Sequence, residues 1–367
     1  MSEPNTQYRN EGDSTRTQQA KHCTGVIEAL QRGDAKAVQA AIANGVDPNS
    51  RDENGVPVLS WAALLGRSGC VKQLLAAGAD ANAEDYEDWS SLMFAADNGH
   101  ADCVKRLLAA GAAVDKTDCN GESSLMRAAR HGHAECVRLL LAAGANPHAA
   151  DAAGTSILQC AAERRSAKCV RLLLEGGADP NSVLADVVEK RRKGILKLLL
   201  AHGADPAKGC AAASHADMVK LLLEAGADAD ACLAEAAVAV RKVKAKQLLK
   251  LGANANKALA AVAGLDRQRS VRLLLELGAD PNAGLAAAAA AGLTAIISLL
   301  LKHGADPNTG MAQAAAFGNI YNMRLLLWAG ADPALGIRVA EAAGHTRLAT
   351  LLQEHAGQYA TPEQKAG

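Results

Sequence analysis

Leu139-Leu140-Leu141-Ala142-Ala143-Gly144-Ala145-Asn146-Pro147 is a phrase that the chain repeats almost from end to end. Its glycine recurs as Gly45, Gly78, Gly111, Gly144, Gly177, Gly203, Gly226, Gly252, Gly278, Gly304 and Gly330. The first four steps are 33 residues each, and the later ones are 26, 23, 26, 26, 26 and 26. Self-similarity at such a period is the signature of a stacked array, in which a unit hides its apolar side only against its neighbours. The leucines read as the buried stripe of a helix's last turns, and the glycine after them as a left-handed C-cap. A proline two or three residues further on cannot continue that helix. Each unit therefore ends a helix in the same way and starts the next in the same direction.

Working outward, four full units open as Asp52-Glu53-Asn54-Gly55, Asp85-Tyr86-Glu87-Asp88, Asp118-Cys119-Asn120-Gly121 and Asp151-Ala152-Ala153-Gly154. Three carry glycine where a hairpin-like tip needs positive φ. Asp88 breaks the pattern and is expected to strain or reshape its tip. Ser90, Ser123 and Ser156 stand where a helix starts, and such a cap contributes about 1 kcal/mol. Pro57 holds that place in the first full unit and has no side chain to cap with. Leu59, Leu92, Leu125 and Leu158 follow, each with Ala-Ala behind it. A short first helix is expected to end near Gly69, Gly99 and Gly132, and a second to run to the leucine phrase. Residues 24–49 read as two short helices with a more polar first one, an N-terminal cap.

After Gly177 the residues lost from each unit are those of the finger. In Asp280-Pro281-Asn282-Ala283-Gly284-Leu285 the turn passes straight into the next helix. The third residues of these turns are Asn181, Ala207, Asp230, Asn256, Asn282, Asn308 and Ala334. Five of the seven are good N-caps and are expected to start the following helix. Ile337 to Gly357, with Arg347, Gln353 and Glu354 on its closing helix, reads as the C-terminal cap.

These features resemble the ankyrin-repeat family: a 33-residue unit, a finger, two helices, Gly-His between them (Gly99-His100, Gly132-His133) and Leu-Leu-x-x-Gly-Ala-Asp. The resemblance covers about residues 24–357. It departs at the family's Thr-Pro-Leu-His, which stands here as Pro57-Val58-Leu59-Ser60, Ser90-Ser91-Leu92-Met93, Ser123-Ser124-Leu125-Met126 and Ser156-Ile157-Leu158-Gln159. It departs again in the shorter units after Gly177. The fold it implies is all-α: an ankyrin-type α-solenoid of about twelve stacked antiparallel helix pairs, with hairpin-like fingers only in the N-terminal half. The expected organisation is a disordered polar tail (1–23), an N-cap with full-length repeats (24–181), shortened finger-less repeats with a C-cap (182–357), and a second polar tail (358–367).

Composition agrees with thin stacked helices. Of 367 residues 49% are hydrophobic but only 2% aromatic, so the core must be Leu, Ala and Val. Lys and Arg total 39 and so do Asp and Glu, so no global field draws in nucleic acid or membrane. The nine cysteines include no Cys-x-x-Cys. Cys70, Cys103, Cys136 and Cys169 lie 33 apart. Stacked helices sit about 8–10 Å from one another, while a disulfide needs Cα atoms within about 7 Å. This column is therefore read as reduced thiols packed as small core residues, which implies a reducing, cytoplasmic compartment. Residues 1–23 carry no apolar signal segment. Gly284 to Leu301 is an uncharged run of 18 residues, near the length of a membrane span. Gly292 divides it where neighbouring units turn, so it reads as a buried helix pair.

No phosphate loop, Gly-x-Ser-x-Gly or His-Glu-x-x-His is present. His131-x-His133-x-x-Cys136 has metal-ligand residue types, but His133 and Cys136 repeat His100 and Cys103, so they are structural positions. No catalysis, metal or cofactor is expected. The resemblance implies that fingers and the exposed side of the first helices bind a partner protein. Mapped by position, the finger-tip column is Val56, Trp89, Glu122 and Thr155, and the column before Ala-Ala is Trp61, Phe94, Arg127 and Cys160. Aromatics and Arg are favoured interface anchors. The candidate partner-binding set is Tyr86, Trp89, Asp97, Arg127, Arg130, His131 and Trp61. Trp61 and Phe94 have an alternative role as filling between helices, whereas Tyr86 and Trp89 are expected to be exposed. A second feature is a basic edge of inter-helix loops, with Lys190, Arg191, Arg192, Lys193, Arg241 and Lys242. It reads either as a solvated edge or as a ridge for nucleic acid or an anionic surface. Lys190 to Lys193 also resembles a short nuclear-import run. A monomer with an unidentified protein partner is expected.

Overall fold

The leucine phrase ends a helix as its glycine requires: Gly78, Gly111 and Gly144 have φ of +93°, +84° and +89°. A computed structural model describes residues 25–359, with side chains to Glu354. The tail expected at 1–23 lies outside the described residues, as does nearly all of the one expected at 358–367. The last helix continues through Tyr359, past the expected end of the C-cap at Gly357.

Two compact units divide after Ala204, one repeat beyond the change in repeat length. The first holds α1 (25–32), α2 (Ala35–Ala43), α3 (Val58–Leu64), α4 (Ser68–Ala76), α5 (Ser91–Asp97), α6 (Ala101–Ala109), α7 (Ser124–His131), α8 (Ala134–Ala142), α9 (Ile157–Glu163), α10 (Ala167–Glu175), α11 (Leu184–Glu189) and α12 (Lys193–Ala201). Helices α3, α5, α7 and α9 pack in one row, and α4, α6, α8, α10 and α12 in another. Single antiparallel bridges, Arg51 to Pro57, Glu84 to Ser90, Thr117 to Ser123 and Ala150 to Ser156, close four fingers. The second unit repeats the two-row plan in α13 (Pro206–Cys210), α14 (Ala216–Glu224), α15 (Ala229–Val238), α16 (Lys242–Lys250), α17 (Ala255–Ala263), α18 (Gln268–Glu276), α19 (Asn282–Ala290), α20 (Thr294–Lys302), α21 (Asn308–Ala316), α22 (Ile320–Trp328), α23 (Pro333–Ala342) and α24 (Thr346–Tyr359). The Gly284–Leu301 run is α19 and most of α20, a packed pair. No described helix is long and apolar enough to cross a membrane.

The core is a column of identical side chains. Val71, Val104, Val137 and Val170 are buried with Leu74, Leu107, Leu140 and Leu173. The column cysteines Cys70, Cys103, Cys136 and Cys169 are buried and unbonded beside them. Burial pushes the Cys103 thiol up to about 11 and the Cys136 thiol up to about 12, so they act as small apolar residues. In the second unit Cys210 and Cys232 form a disulfide, their Cα atoms 5.6 Å apart.

Three local expectations are corrected. The first helix of the first full repeat ends at Gly66 (φ +68°), and Gly69 lies inside α4. The Asp88 tip keeps the left-handed shape with φ +62°, which a short polar side chain tolerates. The third residues of the later turns do not cap the helices, although α19 and α21 begin at Asn282 and Asn308. The amide of each is bonded from two residues earlier: Asp228 accepts from Asp230, Asn254 from Asn256, Asp280 from Asn282 and Asp306 from Asn308, at 2.9–3.0 Å. The third residue reaches the next repeat instead. Asn256, Asn282 and Asn308 accept the amides of Asp280, Asp306 and Asp332, all at 2.7 Å. The first unit has the same ladder, where Asn49 and Asn82 accept from Asp80 and Ala113 at 2.7 Å. These turns are thereby pinned to their neighbours.

Where most inter-helix turns use glycine, Val240 adopts φ +54°. A β-branched residue there is strained by about 1–2 kcal/mol, and its side chain is 47% exposed, so little packing depends on it. Val240→Gly is expected to stabilise the protein by about 1 kcal/mol. Denaturant titration checks this, and an unchanged or lower midpoint would remove the strain argument.

Candidate partner-binding surface

Each finger is organised by its first aspartate. One oxygen of Asp52 accepts the amides of Asn54 and Val56, both at 2.9 Å. Asp85 does the same for Glu87 and Trp89, Asp118 for Asn120 and Glu122, and Asp151 for Ala153 and Thr155. This rigid acceptor replaces what a longer hairpin would supply in ladder bonds. The second oxygen faces the first helix. Asp52 accepts Trp61 Nε1 at 2.9 Å, and Asp118 accepts Arg127. Both partners lie nine residues after their aspartate.

Arg127 joins several candidates into one network. Its guanidinium lies 2.7 Å from Glu122, 4.0 Å from Asp97 and 4.0 Å above the centre of the Trp89 ring. Only 14% of the side chain is exposed. Arg130 pairs with Glu122 and, at 3.6 Å, with Asp151. His131 Nε2 lies 3.2 Å from Asp97. Trp89 packs on Phe94 with ring centres 4.9 Å apart. Burial pushes the Asp118 carboxyl up, but the amides of Glu122 and Asn120 and the Arg127 guanidinium outweigh it and hold the carboxyl below the usual range.

The structure thus brings Trp89, Asp97, Arg127, Arg130 and His131 together and sets Tyr86 and Trp61 apart from them. Trp61 is half-buried on Asp52. Trp89 is half-buried as well, not fully exposed as expected, because Arg127 covers one face. Tyr86 is 78% exposed. Its ring lies across Gly55 of the preceding finger, where an added Cβ would come within 2.4 Å of it. Glu122, mapped to the finger-tip column, and Asp118 and Asp151, read as finger openings, are left out of the candidate set, although an aspartate at every finger start is the available signal.

The Gly-His pair is an inter-repeat staple. His100 and His133 contact the carbonyls of Leu64 and Asp97 through Nε2 at 3.0 Å, their rings lying against Gly66 and Gly99. Burial lowers the His133 pKa. Among the described residues no cluster suited to holding a metal ion occurs.

A family model described as ankyrin repeats (3 copies) matches residues 8–85, 26–118, 92–184 and 125–210. Together these windows span more than half of the chain. The chain is an ankyrin-repeat protein. Ankyrin repeats generally mediate protein–protein interaction, and proteins built from them are typically non-enzymatic scaffolds. Comparison with curated proteins finds no match.

The ankyrin repeats spend much of the basic edge internally. Lys190 pairs with Glu163 at 3.3 Å and Asp186 at 2.7 Å, and Lys242 with Glu276 at 2.7 Å. Arg241 donates to the Ala211 carbonyl. Arg192 is half-buried at the start of α12, whereas Arg191 and Lys193 are exposed, each with a further interaction inside the chain.

A carboxylate held below its ordinary pKa contributes stability that is complete above the unfolded value, about 4 for Asp. That stability is lost as pH falls through the lower native value. Asp118→Asn is expected to cost about 1–3 kcal/mol at neutral pH and to flatten the loss of stability below about pH 4. Thermal unfolding of both proteins from acid to neutral pH measures it, and parallel curves would show that Asp118 titrates normally.

Proposed function

We propose that the fingered unit binds a partner protein on the tips and groove around Tyr86, and that the partner offers a basic, extended segment. The observation that carries this is the exposed Tyr86 ring on a tip fixed by Asp85. Glu53, Glu87 and Asp88 surround it in sequence and in the neighbouring tip, and all three are exposed. They form no ion pair among the described residues. A cationic side chain on an aromatic face gains about 0.5–1 kcal/mol at an exposed site, and nearby carboxylates add direction and encounter rate.

In this reading Trp89, Asp97, Arg127 and Arg130 are the rigid floor. Their charges already satisfy one another, so they fix the surface without offering free cations. Arg130 and His131, 37% and 46% exposed, form its rim. Trp61 holds the first finger against its helix. The partner pays no cost to order this surface, which favours affinity. Binding to nucleic acid or an anionic surface through the basic edge is the weaker reading, since Lys190, Arg241 and Lys242 already serve neighbouring groups.

Partner recovery by the tagged full chain tests both. Tyr86→Ala with Glu87→Lys is expected to reduce recovery of bound proteins at least about tenfold, while Arg191→Glu with Arg192→Glu leaves it unchanged. Loss only in the second pair, together with binding that weakens steeply with salt, would transfer the function to the basic edge.

A further inference from the structure

The step from Gly203 to Gly226 is 23 residues, three fewer than every other step in the second unit. Those residues are missing from a first helix. α13 has five residues, whereas α15, α17, α19, α21 and α23 have nine or ten. A single turn does not sustain itself, and its terminal carbonyls lack intrahelical donors.

Ala213 N donates weakly to the Cys210 carbonyl at 3.3 Å, and the following repeat adds side-chain donors. Lys244 Nζ donates to the Cys210 carbonyl and Arg241 to the Ala211 carbonyl. Lys244 is only 3% exposed. It stands at the third position of α16, where corresponding helices place Cys70, Cys103, Cys136, Ile195, Met218 and Ile296. Ser270 and Asn322 also hold this position, but a buried lysine is costly unless its ammonium has a task. Capping the shortened helix is that task, and desolvation by burial lowers its pKa. The same helix carries the disulfide, from Cys210 at its end to Cys232 on α15, with Cα atoms 5.6 Å apart and both residues 2% exposed.

We propose that Cys210 and Cys232 are a reversible redox site, a thiol–disulfide couple that locks the shortened repeat onto its neighbour. The reaction partner is a dithiol reductant. One of its thiolates attacks a bridge sulfur, forming a mixed disulfide and releasing one cysteine thiolate, which takes up a proton. Its second thiol then attacks the mixed disulfide, frees the other cysteine as a thiol and leaves as a disulfide. Two electrons pass to the protein. Because both sulfurs are buried, attack waits for residues 211–215, which follow α13 without a full helix, to open. The column thiols do not compete, being buried and held protonated. In the disulfide form α13 is fixed covalently, and in the dithiol form it is held by packing on α14 and α15 and by Lys244 and Arg241. The site is separate from the Tyr86 surface, and neither reading depends on the other.

The test uses the full chain with Cys119→Ser, which removes an exposed thiol. Maleimide labelling in denaturant, after mild oxidation with diamide, is expected to find two more thiols once dithiothreitol is added. Hydrogen exchange of residues 206–214 is expected to speed up at least about tenfold on reduction, while α19 and α20 stay unchanged. Cys210→Ser and Cys232→Ser should each exchange like the reduced protein and ignore dithiothreitol. Should either variant fail to fold, the oxidised and reduced forms of the unsubstituted pair give the same comparison. An unchanged thiol count, or exchange at 206–214 that does not respond to reduction, overturns the proposal.

Discussion

No helix pair in this chain can bury its own apolar side. Leu107 is shielded because Val71, Leu74, Val137 and Leu140 belong to pairs above and below it, and all are buried. Stability is therefore a sum of contacts between nearest neighbours, and any feature that misplaces one pair weakens two interfaces. This constraint explains why polar side chains are spent so heavily between repeats. The Asn ladder pins turn to turn, and His100 and His133 pin helix end to helix end. Each bond is modest, about 1 kcal/mol, but each also fixes the offset on which the leucine columns depend.

The same economy shapes the fingers. A tip of four residues cannot build a sheet, so a carboxylate stands in for the absent strand bonds. Once Asp118 is committed in this way, its second oxygen needs a donor, and Arg127 meets it. Arg127 then draws in Glu122 and Trp89, and Glu122 draws in Arg130. The cluster is a consequence of satisfying one buried carboxylate. It leaves Tyr86 and the acidic groups beside it exposed. Substitutions at Arg127 disturb the finger itself, whereas the exposed Tyr86 ring takes no part in this network.

The fold was legible because its cause is periodic: glycine spacing, leucine pairs and finger openings each report the same unit. The roles of polar residues were less legible, since a local rule cannot tell which backbone a side chain will reach. Asn282 is a good cap by type, but Asp280 already holds its own helix, so the free oxygen turns to the next turn's amide. Arg127 and Arg130 stand out by residue type, yet their unpaired look in one dimension hides Asp118, Glu122 and Asp151. The role of Lys244 is not legible in one dimension, because its burial follows from three residues deleted in another repeat.

Aromatic placement follows from the same packing limit. Leu, Val and Ala columns close the space between thin helices, and a ring is too large for them. Trp61, Trp89 and Phe94 accordingly settle half-buried where fingers meet first helices. Tyr86, Phe317, Tyr321 and Trp328 stand almost wholly outside. In a chain with 2% aromatic residues, none of the described rings is needed to fill the core. Here the usual inference from a large apolar side chain runs backwards: a ring marks a finger's support or the surface, not the core.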